Sequence, residues 1–372
     1  MKIVKFETWW VRRDHCLFDE KRQGKSSMPW DVVVIKITTD NRIEGVAVAM
    51  AARSGAVTEA YLQDNIAPIL MGRDPYDREA IWHELWNIDR HLGFFPVYLP
   101  GPVDVALWDI AAKAAGLPLY KYMGAYRNKL PVYASGLFHE TVEQYVEEAL
   151  YYKSLGIRAY KAHPPGPVQT DMKIHQALRD AVGDEHVLLT DPVAEYSLDE
   201  AIKVGRHLEQ LNYLWFEEPF RDFEVNKYKQ LCAALDIPVA ATETTRGCHW
   251  GVAQSIANQA ADIVRADVSW KHGITGTLKI AHLAEAFGLR CEIHTTTINY
   301  MDIVNLHVSC AIRNCEYFEY FVPEDQFQFP AKGRLPIDAQ GMITVPESPG
   351  IGAELDWDLI ERQCVSYKKI EA

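Results

Sequence analysis

The sequence predicts an α/β protein built around a parallel (β/α)8-type barrel, with a smaller α+β unit attached. Three observations predict it. Short apolar runs recur through the second half of the chain, each closed by a polar residue. Those closing residues are evenly spaced: Asp191, Glu217, Glu243, Asp267, His294 and Glu319 stand 26, 26, 24, 27 and 25 residues apart. One strand, one helix and two loops add up to roughly 25 residues. The first fifty residues follow another rhythm, that of a β-meander.

A length of 372 residues fits one barrel plus an appended domain. A composition 48% hydrophobic and 24% charged is that of a soluble globular enzyme. The net charge of −13 argues against a nucleic-acid partner, because phosphate binding needs a basic surface. It leaves small anionic substrates open, since a bound metal can reverse the local field. Met1-Lys2-Ile3-Val4-Lys5-Phe6-Glu7 interrupts any apolar run of signal-peptide length, and no stretch approaches a membrane span. Seven scattered cysteines without a Cys-x-x-Cys spacing argue against disulfides and structural zinc. The expectation is a cytoplasmic protein with no membrane partner.

Residues 2–10, 30–38 and 45–50 read as strands, with a turn at Asp40-Asn41. The polar segment Asp14 to Ser27 between the first two is a surface loop or a lid. Residues 56–71 and 75–92 read as helices. Val103, Ala106, Leu107, Ile110, Ala111 and Ala114 share one helical face, opened by Pro102 and closed by Gly116. Pro131 to Ser135 is the first barrel strand and Arg158 to His163 the second, with an amphipathic helix over 141–155 between them. The rungs at Leu188–Asp191, Trp215–Glu217, Ala240–Glu243, Ile263–Asp267, Cys291–His294 and Tyr317–Glu319 complete eight strands. Their Val, Ile, Leu, Trp and Phe content suits strands buried on both faces. The tail from Pro330, with a strand-like piece at Met342–Val345, is expected to return to the first domain. The divisions are 1–125, 126–325 and 326–372.

The polar residues end their strands on the face where barrel active sites lie. Taken alone, each acid reads as a cap for the next helix. Three in succession, at 191, 217 and 243, followed by an Asp and a His, point instead to a site. Three carboxylates without a soft ligand suit Mg²⁺ rather than Zn²⁺, and their mutual repulsion calls for a cation. Lys161 and His163 lie two apart on one strand and so face the barrel interior together. Singly, Lys161 could be a structural partner of a carboxylate and His163 a core histidine. Across the mouth, Asp267 stands beside His294, as a carboxylate that sets an imidazole's tautomer and basicity. A cation on a substrate carboxylate, with proton-handling groups on both sides, suits α-proton abstraction through an enediolate.

These residues resemble the mandelate racemase subgroup of the enolase superfamily, whose Lys or His base with Mg²⁺ is a known pattern. The resemblance runs through Val103-Asp104-Val105-Ala106-Leu107-Trp108-Asp109, Trp215–Pro219, Asp267-Val268-Ser269 with Gly273-Ile274-Thr275, and Pro349-Gly350-Ile351-Gly352. It implies a modified TIM (β/α)8 barrel capped by an α+β domain made from both chain ends, and a homo-oligomer. It assigns Asp191, Glu217 and Glu243 as Mg²⁺ ligands and Lys161 to the base motif. Asp267 and His294 become the dyad, and Glu319 a residue that binds a substrate carboxylate. It makes Asp14 to Ser27 a mobile capping loop and places a second specificity loop at Arg53-Ser54-Gly55. The chain departs from the pattern at His163, where relatives carry a second lysine, at Val193 (Asn) and at Thr242 (Gly). Trp270 and Lys271 bring bulk and charge toward the substrate.

The expected activity is a Mg²⁺-dependent hydro-lyase that converts a sugar acid to a 2-keto-3-deoxy acid. Lys161 or His163 takes the α-proton, and His294 protonates the departing hydroxyl. The alternative is a racemase or epimerase of a hydroxy acid. A Schiff-base aldolase using Lys161 would survive a chelator, and a non-catalytic barrel would lack the acid–base residues.

Overall fold

The computed structural model describes residues 1–13, 30–52, 54–92, 96, 98–296, 298–324 and 329–372. The segment Asp14 to Ser27 and the Arg53 of the second loop lie outside the described residues.

Three antiparallel strands open the chain: β1 (Ile3–Arg13), β2 (Trp30–Thr39) and β3 (Glu44–Ala52). The turn before β3 puts Arg42 in the left-handed region, at φ 64°. Helices α1 (Gly55–Ala60) and α2 (Ala67–Leu70) are joined by a wider helical turn at Tyr61–Ile66; α3 (Arg78–Leu92) and α4 (Pro100–Ala114) follow. α4 starts two residues earlier than Pro102, because proline in a first turn sacrifices only N–H groups that have no helical partner there. It lies directly on β3. A Cβ on Gly45 would stand 2.1 Å from the carbonyl oxygen of Ala106, so this approach requires glycine. The buried Asp109 on α4 accepts the N–H groups of Val46 and Ile351 and the ammonium of Lys113. One carboxylate thus ties the helix to the sheet and to the C-terminal tail.

After the short α5 (Leu119–Met123) the chain alternates strand and helix. The first half is β4 (Lys129–Ser135), α6 (Val142–Ser154), β5 (Ala159–Ala162), α7 (Val168–Val182), β6 (Val187–Thr190) and α8 (Leu198–Gln210). β7 (Phe216–Glu217), α9 (Val225–Ala234), β8 (Val239–Ala241), α10 (Cys248–Ala257), β9 (Ile263–Ala266) and α11 (Gly273–Ala286) follow. β10 (Arg290–Ile293), α12 (Asn299–Ala311) and β11 (Phe318–Phe321) end the series. The capping boxes Thr141/Gln144 and Ser197/Glu200 start α6 and α8.

The eight strands are parallel, in the order β10-β9-β8-β7-β6-β5-β4-β11, so β11 lies beside the first barrel strand and the sheet curls round. β10 and β11 are its two edges, with no backbone ladder between them among the described residues. Side chains and a loop carbonyl close this seam: the Cys291 N–H of β10 donates to the Asn314 carbonyl. Glu292 on β10 accepts the N–H groups of Glu316 and Tyr317, and Glu319 on β11 accepts the N–H of Thr295.

Within the tail, β12 (Met342–Thr344) pairs antiparallel with the barrel strand β4. After α13 (Trp357–Arg362), the last strand β13 (Cys364–Glu371) lies along β1 and completes a sheet ordered β13-β1-β2-β3. Among the described residues no helix is long and apolar enough to cross a membrane.

Inside the barrel the side chains form layers, as alternation along short strands requires. Tyr133, Ala159, Leu189, Trp215, Ala240 and Ile263 make an apolar plug at the bottom. The next inward residues, two positions along their strands, are Ser135, Lys161, Glu217 and Arg265.

Candidate active site

The charged layer above the plug is fully buried and internally paired. Lys161 Nζ lies 2.6 Å from Glu319, 3.1 Å from Glu217 and 3.6 Å from Asp191. Arg265 bridges the same two glutamates, Nε to Glu217 at 3.0 Å and Nη2 to Glu319 at 2.7 Å. Trp215 donates its indole N–H to the other oxygen of Glu217. Burial alone would push Lys161 towards neutrality, but Glu217, Glu319 and Asp191 outweigh it and raise its pKa. Burial likewise works against an ionised Glu319; Lys161 and Arg265 reverse that and hold it well below the usual carboxylate range.

Asp191, Glu217 and Glu243 stand at the ends of β6, β7 and β8 and each point one carboxylate oxygen to a common point. The three oxygens lie within 4.8 Å of one another. Among the described residues no His or Cys adds to the set, so the donors are all hard oxygens. Burial raises the pKa of Glu243, which His294 opposes and the charges of Asp191 and Glu217 reinforce. A cation between the three relieves that repulsion, so the residues present fit one.

The backbone around this group is strained. Val193 (φ 55°), Ala194 (φ 64°), Glu218 (φ 39°) and Thr242 (φ 86°) all occupy the left-handed region. A β-branched residue there is a true outlier, of the kind that collects at functional sites. Thr242 is held by a reciprocal pair with Arg265: its hydroxyl donates to the Arg265 carbonyl and accepts the Arg265 N–H. The valine and threonine that depart from the family pattern therefore sit where the chain must turn sharply.

His163 and His294 flank the triad from different ends. His163 Nε2 is 3.5 Å from Asp191, and its Nδ1 lies 2.6 Å from the carbonyl of Gly136. That carbonyl can only accept, so Nδ1 carries a proton, and in the neutral ring Nε2 is the nitrogen that can take one up. His294 Nε2 is 3.5 Å from Glu243, and its Nδ1 meets Asp267 at 2.7 Å. Burial depresses the imidazole, but Glu243 and the Asp267 hydrogen bond more than compensate and lift its pKa to about 9. Asp267 is itself locked by the N–H groups of Ser269 and Trp270.

Helix α4 and its neighbour α3 clamp the loop that follows and the first turn of α11. Asp104 accepts both the N–H and the hydroxyl of Thr275, and Trp82 donates to the carbonyl of His272.

These groups meet in one cavity of about 920 Å³. Lys161, His163, Asp191, Glu243, Trp270 and His294 line it, while Glu217, Asp267 and Glu319 lie beneath or behind. The indole N–H of Trp270 is buried with no partner among the described residues, a donor available to a ligand. Lys271 corrects an expectation. Its side chain is fully buried outside the cavity lining, and its ammonium donates to the Thr245 carbonyl at 2.7 Å. It braces the loop after β8 and does not face a substrate. Glu319 has both oxygens engaged by Ser135, Lys161, Arg265 and the Thr295 N–H.

Arg265 is the residue that sequence reading passed over. It stands two positions before Asp267, the spacing that pairs Lys161 with His163, and so had to point inward. Asp302, at the start of α12, was also missed. It accepts the N–H of Thr296 at 2.6 Å and so secures the loop after His294. Burial lifts its pKa to about 8, against the pull of Thr296 and Arg334. The folded chain then keeps a proton that the unfolded chain releases near pH 4. Between about pH 4 and 8 stability falls as pH rises, by at most about 1.4 kcal/mol per unit from this group. In urea titrations at pH 5 to 8, Asp302→Asn should flatten that decline; an unchanged slope would contradict the assignment.

The likenesses to known proteins agree with this geometry. Residues 144–359 match the family description "Enolase C-terminal domain-like", and residues 25–124 match "Mandelate racemase / muconate lactonizing enzyme, N-terminal domain". The chain is 32% identical to L-talarate/galactarate dehydratase of Salmonella typhimurium, over 78% of this chain and 73% of that protein. It is 27% identical to arabinonate dehydratase of Saccharolobus solfataricus, over 89% and 90%. The crystal structure of D-glucarate dehydratase from Agrobacterium tumefaciens complexed with magnesium superposes with a TM-score of 0.88 at 30% identity, covering 98% of this chain and all of that one. With both domain descriptions matched, over a barrel whose strand ends carry the charged groups described above, the chain belongs to the mandelate racemase/muconate lactonizing enzyme family of the enolase superfamily.

Proposed function

We propose that this protein is a magnesium-dependent dehydratase that converts a sugar acid to a 2-keto-3-deoxy acid. One observation carries the reading: His163 and the Asp267–His294 dyad approach different members of the carboxylate triad within a single cavity. Asp191, Glu217 and Glu243 would hold the metal, which when bound supplies positive charge to the substrate carboxylate. Relatives named as dehydratases of arabinonate and of talarate or galactarate support the substrate class.

His163 is the better candidate for the base. Its Nε2 is the nitrogen left unprotonated when Nδ1 donates to Gly136, whereas the Lys161 ammonium is committed to three carboxylates. Lys161 then holds Glu217 and Glu319 in place and adds positive charge below the substrate. The α-proton goes to His163, and the β-hydroxyl leaves as water with the proton that His294 carries. The resulting enol becomes the 2-keto acid by taking up a proton at the β-carbon and giving up the proton of its hydroxyl. General acid and base groups of this kind each contribute about 10²- to 10⁴-fold.

The test is a screen of aldonic and aldaric acids for 2-keto acid formation, with and without Mg²⁺, in deuterated water. Magnesium-dependent keto acid is the expected result. Deuterium at the α-carbon of a fully recovered hydroxy acid, with no keto acid, would overturn it in favour of a racemase or epimerase.

A further inference from the structure

The loops after β7 and β8 form the outer wall of the cavity, and each brings one arginine to it. Arg221 stands four residues beyond Glu217 and Arg246 three beyond Glu243, and both line the cavity. Both side chains are exposed. Neither guanidinium has a hydrogen-bond or ion-pair partner among the described residues; Arg221 has a single ring contact, with Phe223 at 5.6 Å. The contrast with the cations below is sharp. Lys161 and Arg265 are ion-paired with Glu217 and Glu319, and Lys271 donates to the Thr245 carbonyl.

The loop bearing Arg246 is braced at several points. Glu218 accepts the N–H of Glu243, Lys271 holds the carbonyl of Thr245, and the N–H of Thr245 returns to the carbonyl of Thr242. Glu195 and Asp222 line the same wall. Asp222 forms no ion pair with either arginine among the described residues. Carboxylates can only accept, and suit the hydroxyl groups of a polyol. Guanidinium groups present a planar fork of donors and suit a carboxylate.

We infer that Arg221 and Arg246 bind a second carboxylate, at the end of the substrate remote from the triad, so that the preferred substrates are aldaric rather than aldonic acids. This rests on the reaction proposed above and narrows its substrate.

Arg221→Gln, Arg246→Gln and the double variant test it. With wild type, kcat/KM for aldarates should exceed that for aldonates of the same carbon number. In the variants the loss on aldarates should be at least about tenfold larger than on aldonates, and carried by KM. Calorimetric titration of the same diacids in the presence of Mg²⁺ gives a readout independent of turnover. There the double variant should bind about 10- to 100-fold more weakly. Equal use of both classes by wild type, unaltered diacid binding in the double variant, or a preference for an aldonate phosphorylated at its far end would each overturn the inference. A protein that binds aldarates through these arginines but forms no keto acid from any acid would uphold it and refute the dehydratase reading.

Discussion

Glu217→Gln is expected to lower keto-acid formation at least about 1,000-fold and to destabilise the metal-free protein as well, whereas Glu243→Gln should do only the first. Both side chains belong to the triad, so either change weakens the grip on a cation. Their surroundings differ. Glu217 neutralises two buried cations, Lys161 at 3.1 Å and Arg265 at 3.0 Å. Making it neutral leaves excess positive charge in a dry layer, at a cost of about 3 kcal/mol. Among the described residues Glu243 is ion-paired with His294 alone, at 3.5 Å, and burial with the charges of Asp191 and Glu217 already disfavours its ionised form. An amide there relieves repulsion, so the apo protein should unfold at the same denaturant concentration as wild type or a higher one. Denaturant midpoints with and without Mg²⁺ decide the matter. Wild type should gain stability from the ion, and neither variant should gain as much. Equal midpoints for the two apo variants would refute the charge balance described for the buried layer.

The second large effect separates the two histidines. His163→Asn should abolish both keto-acid formation and α-hydrogen exchange, by about 10²- to 10⁴-fold. His294→Asn should lose dehydration to a similar extent and retain measurable exchange, because in the proposed mechanism the α-proton leaves to His163. Asp267 keeps its place in that variant through the Ser269 and Trp270 N–H groups, so the loss reports on the acid and not on a collapsed loop. Proton NMR in deuterated water reads both activities from one sample. Exchange lost in His294→Asn but kept in His163→Asn would reverse the assignment of base and acid.

The spacing of the closing residues made the barrel and its strand-end groups readable from sequence, because one side of a parallel barrel collects every strand terminus. Interior pairing was less readable. Arg265 sits within Ile-Val-Arg-Ala, and only its period-two relation to Asp267 signals that it points inward. Lys271 looked available because it follows the dyad's Asp by four residues, yet the tight turn held by Asp267 aims it at a backbone carbonyl. β13 was missed for another reason. Its residues are mostly exposed and include Lys368 and Lys369, as expected at a sheet edge, so no apolar run marks it. β12 was visible as a strand, but its partner depends on a chain reversal that no local pattern encodes.

The side-chain seam between β10 and β11 divides the catalytic furniture unequally. Asp191, Glu217 and Glu243 follow strands hydrogen-bonded to a neighbouring strand on either flank, whereas His294 follows a strand that, among the described residues, pairs with another strand on one flank only, its other flank held by the Cys291 N–H on the Asn314 carbonyl and by side chains. A substitution at Glu292 or Thr295 would therefore disturb His294, the proposed proton donor, before it disturbed the carboxylates. Sequence drift along that join can retune how a leaving group is handled while the anchoring of the reacting end stays constant.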